Sequence, residues 1–260
     1  MLVFNIKYLS FIRCSTITIH INKLQKMFAN FSKIYFFIID KIKFVLISIL
    51  SDEKKFKFIY KSKYWKNESD GSLSGAGSNI SSTKQIISSL QEFLVKNEIK
   101  SLLDVPCGDW MWMKKINLGT TSYIGGDIVT DIIETNNLKH GNEYVKFQVI
   151  DIRTDKLGEH DLLVVRDLLI HFHDAQIKET IINIKKNNFK YIAITNHPDT
   201  QKNIENNLGD NWRPVNLLIS PFNLPKPDTI LPDVNTADPN PNAKHKNLSI
   251  WRNENFKLDN

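Results

Sequence analysis

The sequence predicts an α/β fold with a parallel sheet wound on both faces. Three observations carry this. Short apolar runs, among them Leu102-Leu103, Tyr123-Ile124, Leu162-Leu163-Val164-Val165 and Tyr191-Ile192-Ala193-Ile194-Thr195, recur through the chain. Between them lie segments of helical period, such as Ile86, Ile87, Leu90, Phe93 and Leu94. The run Leu162–Val165 is apolar without alternation, as a strand buried on both faces must be.

Taken in order, residues 1–55 alternate apolar clusters with lysines. Of the 34 Lys and Arg, 13 fall in residues 1–66, with only 3 of the 28 Asp and Glu; beyond them 21 basic residues face 25 acidic ones. The basic character thus belongs to the N-terminal part of the chain, which begins with a basic, amphipathic arm, residues 1–55; in the body, 56–260, the stretch beyond residue 66 is mildly acidic. A nucleic-acid groove in the body is disfavoured, since it needs a basic footprint. On a helical wheel Ile34, Ile38, Ile42, Val45 and Ile49 share a face opposite Lys33, Asp40 and Lys43. That suits a helix lying on an anionic membrane surface; a helix packed on the domain with solvated lysines is the alternative. No charged region precedes the first apolar run, so a secretory signal is not expected. The only cysteines, Cys14 and Cys107, lie far apart, and a reducing, cytoplasmic setting is expected, with the arm at the inner face of the membrane in the first of those readings.

Phe56, Phe58, Tyr60, Tyr64 and Trp65 mark an N-terminal helix docking on the sheet, and the Gly/Ser-rich stretch 69–82 reads as a loop placed to close over a ligand. A helix over 83–99, capped by Ser82 or Thr83, leads into the first strand, Ser101-Leu102-Leu103-Asp104, and the turn Val105-Pro106-Cys107-Gly108-Asp109. A helix is expected to open near Trp110. An acidic residue at a strand end, followed by a glycine turn, is how an open α/β sheet builds its ligand crevice. Gly108 has no Cβ to block a close approach. The second strand, Tyr123-Ile124-Gly125-Gly126-Asp127-Ile128, puts a carboxylate 23 residues after Asp104, where it can take both hydroxyls of a ribose. A dinucleotide needs a turn rich in glycine around its pyrophosphate. This turn has one glycine, which argues against NAD and leaves S-adenosylmethionine.

A helix over 130–137, a third strand over 145–150 ending at Asp151, the fourth strand, a helix over 175–187 and a fifth strand follow. Asp151 is placed either to accept from an adenine amino group or to hold its own turn. After the fourth strand come Arg166, Asp167, His171 and His173. Two histidines alone do not make a metal shell, and no metal is expected. Thr229–Leu231 and Asn247–Trp251 read as the last two strands.

These pieces together resemble the class I S-adenosylmethionine-dependent methyltransferases, in particular a bacterial subgroup of unassigned substrate. The resemblance runs from about Phe56 to Trp251 and rests on Trp65, Ser74-Gly75-Ala76-Gly77-Ser78, Leu103–Asp109, Tyr123–Ile128, Arg166-Asp167, His171, Trp212–Leu217 and Pro221–Pro225. The chain departs from the pattern in its glycine-poor first turn and in Gly75-Ala76-Gly77, where the family has Gly-Pro-Gly. The resemblance implies a Rossmann-like doubly wound sheet, mostly parallel with an antiparallel edge strand, and S-adenosyl-L-methionine as cofactor. The candidate cofactor residues are Asp104, Pro106, Cys107, Gly108, Asp127, Ile128, Asp151, Ile152, Arg166, Gly75 and Gly77. The candidate catalytic residues are His171 as proton acceptor, Asp167 four residues before it to position it, and His197 in reserve; imidazole, with an unperturbed pKa of about 6.5, is the usual group for that task. The acceptor implied is a hydroxyl of a small molecule, sugar or glycan. An NAD(P)-dependent oxidoreductase and a non-catalytic nucleotide-binding module of the same fold stay open as alternatives.

Overall fold

Residues of alternating face in each central strand divide the core into two layers. Leu102, Leu162, Val164, Ala193, Leu248 and Ile250 pack on one side of the sheet, and Leu103, Leu163, Val165, Ile192, Ile194 and Trp251 on the other. That is the period-two geometry of a pleated strand. The computed structural model describes residues 50–65, 72–205, 212–234 and 245–257. The chain divides into two units, residues 1–49 and 50–260. The expected amphipathic helix over 34–49, and with it the membrane reading of the arm, lies outside the described residues.

Among the described residues seven strands form one sheet: β1 (Ser101–Asp104), β2 (Ser122–Asp127), β3 (Val145–Val149), β4 (Glu159–Val165), β5 (Asn188–Asn196), β6 (Thr229–Pro232) and β7 (Asn247–Arg252). Their order is β3-β2-β1-β4-β5-β7-β6. The first five are parallel; β7 pairs antiparallel with both β5 and β6. The winding reverses between β1 and β4, which places a ligand crevice outside the carboxyl ends of those two strands.

Helix α1 (Asp52–Lys61) buries Phe56 and Ile59, so this aromatic, basic stretch docks on the sheet. Its first turn lies on the arm side of residue 55. Asp52 there accepts from Arg153 Nη1 at 2.6 Å and Gln176 Nε2 at 2.7 Å. Helix α2 (Ile80–Lys96) starts three residues before the expected position, because Asn79, not Ser82 or Thr83, is its cap: Asn79 Oδ1 accepts from Ser82 N at 2.7 Å. Helix α3 (Thr130–His140) and helix α4 (Asp174–Lys185) fall close to expectation, and α4 buries Ile177, Ile181 and Ile184 on the α1 side of the sheet.

The helix expected to open near Trp110 does not form. Between β1 and β2 there is only a 3-10 turn, Met113–Lys115. Trp110 takes a left-handed backbone conformation, φ 56°, and its ring packs against Tyr123 and Phe147 while Trp112 and Met113 are buried beside it. Burying three large side chains from one short segment outweighs helix propensity here. The crevice therefore has no helix N-terminus after β1 of the kind that holds a pyrophosphate.

Candidate active site

The end of β1 places Asp104 under the crevice, 1% exposed. Its Oδ2 accepts from Tyr123 Oη at 2.7 Å, and its Oδ1 has no hydrogen-bond partner. Burial pushes the carboxyl up to about 7, against the Tyr123 hydrogen bond and the charge of Arg166. Asp127 ends β2, 3% exposed. Its two oxygens accept from the backbone N–H of Gly108 at 3.2 Å and of Val129 at 3.0 Å. Burial raises it to about 6, with those amides opposing. Two buried carboxyls, each disfavoured as an anion, thus end neighbouring strands.

The turn between them is drawn in by Cys107 N–H, which donates to Gly126 O at 2.7 Å. The Cys107 thiol is buried and pushed well up, by burial first and by Asp127 and Asp104 next, so it is no thiolate nucleophile. Pro106 and Ile128 flank this turn half-buried. Gly108 has φ 52°, and a Cβ there would stand 2.5 Å from Ser74 Oγ and 3.2 Å from Tyr60 Oη. The close approach that needs this glycine is therefore made by the chain itself. Ser74 Oγ accepts from Asp109 N at 3.0 Å, and Asp109 Oδ2 accepts from Leu73 N at 2.7 Å.

At the end of β4 Arg166 is 5% exposed and forms a two-pronged pair with Asp233: Nε to Oδ2 at 2.9 Å and Nη2 to Oδ1 at 3.0 Å. Nη2 also donates to Gly77 O at 2.8 Å, and the guanidinium lies over the Trp112 ring. Asp167 bonds to Lys246 Nζ, sits 3.3 Å from Arg166 Nη1, and accepts from Thr195 Oγ1 at 3.3 Å. Burial alone would raise its carboxyl; Lys246 and Arg166 outweigh it and hold Asp167 well below the usual carboxylate range. Asp233 and Lys246 belong to this site although no local sequence pattern marks them.

The expected pairing of Asp167 with His171 along one helical face is corrected. Asp167 has φ 55° and the turn that follows is 3-10, Leu169–His171, so the four-residue spacing does not follow α-helical geometry. The half-buried His171 ring instead stacks on Trp65, centroids 4.9 Å apart at 26°, with Phe56 edge-on at 6.1 Å. His197 is 2% exposed; its Nδ1 accepts from Val215 N at 3.3 Å, and burial lowers its pKa to about 4. The ring is a weak base in a dry place. Both oxygens of Asp151 accept from Arg153, Oδ1 from Nε at 2.9 Å and Oδ2 from Nη2 at 2.7 Å, so the carboxylate holds its own turn. Each oxygen can accept more than one hydrogen bond, so this leaves the adenine reading of Asp151 open. Ile152, 2% exposed, is a core side chain. Gly75 (φ 91°) lies against Trp65, and Gly77 against Asp167. Among the described residues no group of three His, Cys, Asp or Glu is placed to hold a metal ion.

No protein-family model matches the chain, and no curated sequence does. Solved structures do. The N-methyltransferase NodS of Bradyrhizobium japonicum aligns over 69% of this chain and 99% of its own, with TM-score 0.51 and 13% identity. Magnesium protoporphyrin IX methyltransferase of Synechocystis, crystallised with S-adenosylmethionine, aligns over 60% of this chain and 81% of its own (TM-score 0.43, 15% identity). The methyltransferase domain of bacterial CtHen1 aligns over 44% of this chain, which spans 66% of that domain's length (TM-score 0.40, 9% identity). The fold is that of the class I S-adenosylmethionine-dependent methyltransferases: a seven-stranded, mostly parallel sheet with antiparallel pairing at one edge.

Proposed function

We propose that the protein transfers the methyl group of S-adenosylmethionine to a hydroxyl of a small molecule, sugar or glycan. The observation that carries this is the pair of buried carboxyls, Asp104 and Asp127, at the ends of adjacent strands, with Asp104 Oδ1 unpartnered. Buried polar atoms find partners in finished structures, so an orphaned carboxyl oxygen asks for a donor. The ammonium group of the cofactor's amino acid end is such a donor, and its charge would favour the ionised form that burial disfavours. Asp127 suits the ribose, since each oxygen that accepts one amide keeps a further lone pair for a hydroxyl. The fit is of a ligand with two positive centres, the ammonium and the sulfonium, with a crevice rich in carboxyl groups. It is a poor one for a dinucleotide, which brings two phosphates and finds neither a glycine-rich turn nor a helix N-terminus.

The cofactor, when bound, supplies a methyl already activated by its sulfonium. What remains for the chain is alignment and removal of a proton from the acceptor. His171, half-buried and held flat against Trp65, is the candidate to take that proton. Asp167, held ionised by two cations, is a poor base; its part is to orient. The basic arm we assign to an anionic membrane surface, and nucleic acid has no part in this reading. Calorimetry with S-adenosylhomocysteine, S-adenosylmethionine and NADH tests the cofactor: the first two are expected to bind, and binding of NADH alone would overturn the proposal.

A further inference from the structure

Residues 72–79 run from the end of β1 to the end of β4, across the place where the winding of the sheet reverses. One end is tied to the β1 turn, where Ser72 Oγ and Leu73 N donate to Asp109 at 3.1 and 2.7 Å. The other end is tied to β4 by Arg166, which donates to Gly77 O at 2.8 Å. A Cβ on Gly77 would stand 3.0 Å from Asp167 Oδ2 and 3.6 Å from Lys246 Nζ, so the segment lies tight against this pair and a side chain there would have to push Asp167 back by a few tenths of an ångström.

The second tie is built from outside the nucleotide half of the fold. Asp233 follows β6 and Lys246 precedes β7, so both come from the C-terminal strand pair. Asp233, its side chain 0% exposed, aims the Arg166 guanidinium by its two-pronged pair; Lys246, 6% exposed, binds Asp167 and stands 3.3 Å from Asp233. Two cations and two carboxylates cancel in a buried space. Removing one leaves the rest uncompensated, and such sets hold only while complete.

We propose that Asp233 and Lys246 are positioning residues of the crevice: through Arg166 and Asp167 they hold the 72–79 segment down as a strap over the ligand. That a cofactor lies beneath rests on the reading above; the tie itself does not. The C-terminal strand pair thereby controls how long a ligand stays, although it contributes nothing to the cofactor's own strand-end carboxylates.

Hydrogen exchange and ligand kinetics on the full chain test this. Lys246→Met keeps the length of the side chain and removes its charge; Lys246→Arg restores the charge. In Lys246→Met, amides in a peptide covering 75–79 are expected to exchange on the order of tenfold faster, while peptides from β4 and β5 stay as in the unaltered protein. S-adenosylhomocysteine should leave faster by a similar factor, and Lys246→Arg should recover most of both effects. Unchanged exchange over 75–79, or a rise shared equally by the strap and the sheet, would overturn the proposal. Should Lys246→Met fail to fold, Gly77→Ala reads the same tie from the other side: faster strap exchange at an unchanged melting temperature supports it, and unchanged exchange sinks it. A chain that shows the exchange effect yet binds no S-adenosylhomocysteine at all would remove the cofactor reading and leave the strap standing.

Discussion

Tyr123 and Asp104 lie on adjacent strands and share one hydrogen bond, the Tyr123 hydroxyl donating to Asp104 Oδ2 at 2.7 Å. It leaves the other carboxyl oxygen buried without a partner. Burial, opposed by this hydrogen bond and by the charge of Arg166, pushes the Asp104 carboxyl up to about 7, well above an exposed aspartate. The hydroxyl is the main local brake on that rise, so Tyr123→Phe should push Asp104 higher still.

Ligand binding in the proposed site should therefore depend on pH with a definite sign. A cation in the crevice favours ionised Asp104 and Asp127, which titrate at about 7 and about 6. Affinity for S-adenosylhomocysteine should rise as pH goes from 5.5 to 8, by about tenfold per unit for each carboxyl that must give up its proton, and level off above. The empty protein moves the other way. Unfolded, both groups lose their protons near pH 4, but folded they keep them to 6 or 7, so their contribution to stability falls as pH rises between those limits. Calorimetry in buffers of different ionisation heat would show the proton release. A pH-independent affinity, or one equally steep in Asp104→Asn, would remove Asp104 from the site.

Asp127→Ala should lower cofactor affinity by about 1.5–3 kcal/mol, the range for hydrogen bonds to a charged group. The same change frees the Gly108 and Val129 amides, so part of the loss will appear as a lower melting temperature. Asp127→Asn, which keeps one acceptor, separates the two: melting should recover more than binding does. Equal recovery would mean that Asp127 only shapes the turn.

The two strand-end aspartates were legible because the sheet is. Continuous apolar runs placed β1 and β4, and a carboxylate after such a run can only lie at the rim. The turn after β1 was not legible as a non-helix, since Trp110, Trp112 and Met113 are stopped from forming one by what they pack against, none of it local. Asp233 and Lys246 were invisible for the same reason: their partners Arg166 and Asp167 lie far away in sequence, and nothing in an Asn- and Pro-rich neighbourhood singles out one acid and one lysine. The Asp151 turn had a local signal: an arginine two residues on can engage its carboxylate, and Arg153 bonds to both oxygens.

The arm's boundary has a measurable position. Asp52 accepts from Arg153 and Gln176 with both side chains of the ion pair largely buried, 17% and 16% exposed. Removing residues 1–49 should leave this contact, whereas removing 1–55 takes it away and should cost about 1–3 kcal/mol more. Chemical denaturation of the two truncations compares them directly. Equal stability would mean that the first turn of α1 contributes nothing to the body.

His171 and Trp65 make the last prediction. The imidazole sits just beyond β4, on the 3-10 turn, with its face covered by the indole at 4.9 Å and Phe56 edge-on. A stacked ring keeps its plane while both nitrogens stay at its edge, which is what a proton acceptor needs and what a purely packing side chain does not. Replacing His171 with Phe preserves the stack and removes the nitrogens. If packing is all that matters, His171→Phe should behave as the unaltered protein. If the ring takes a proton from the acceptor, S-adenosylhomocysteine affinity should stay within a few fold while methyl transfer falls by roughly 10²–10⁴. Trp65→Leu, which loosens the ring but keeps it, should fall between them. His197 offers the contrast: at a pKa of about 4, and with Nδ1 tied to Val215, it carries no charge over the working range. His197→Gln should accordingly alter melting temperature and leave the pH profile of transfer in place, and a lost profile in that variant would shift the proton transfer from His171 to His197.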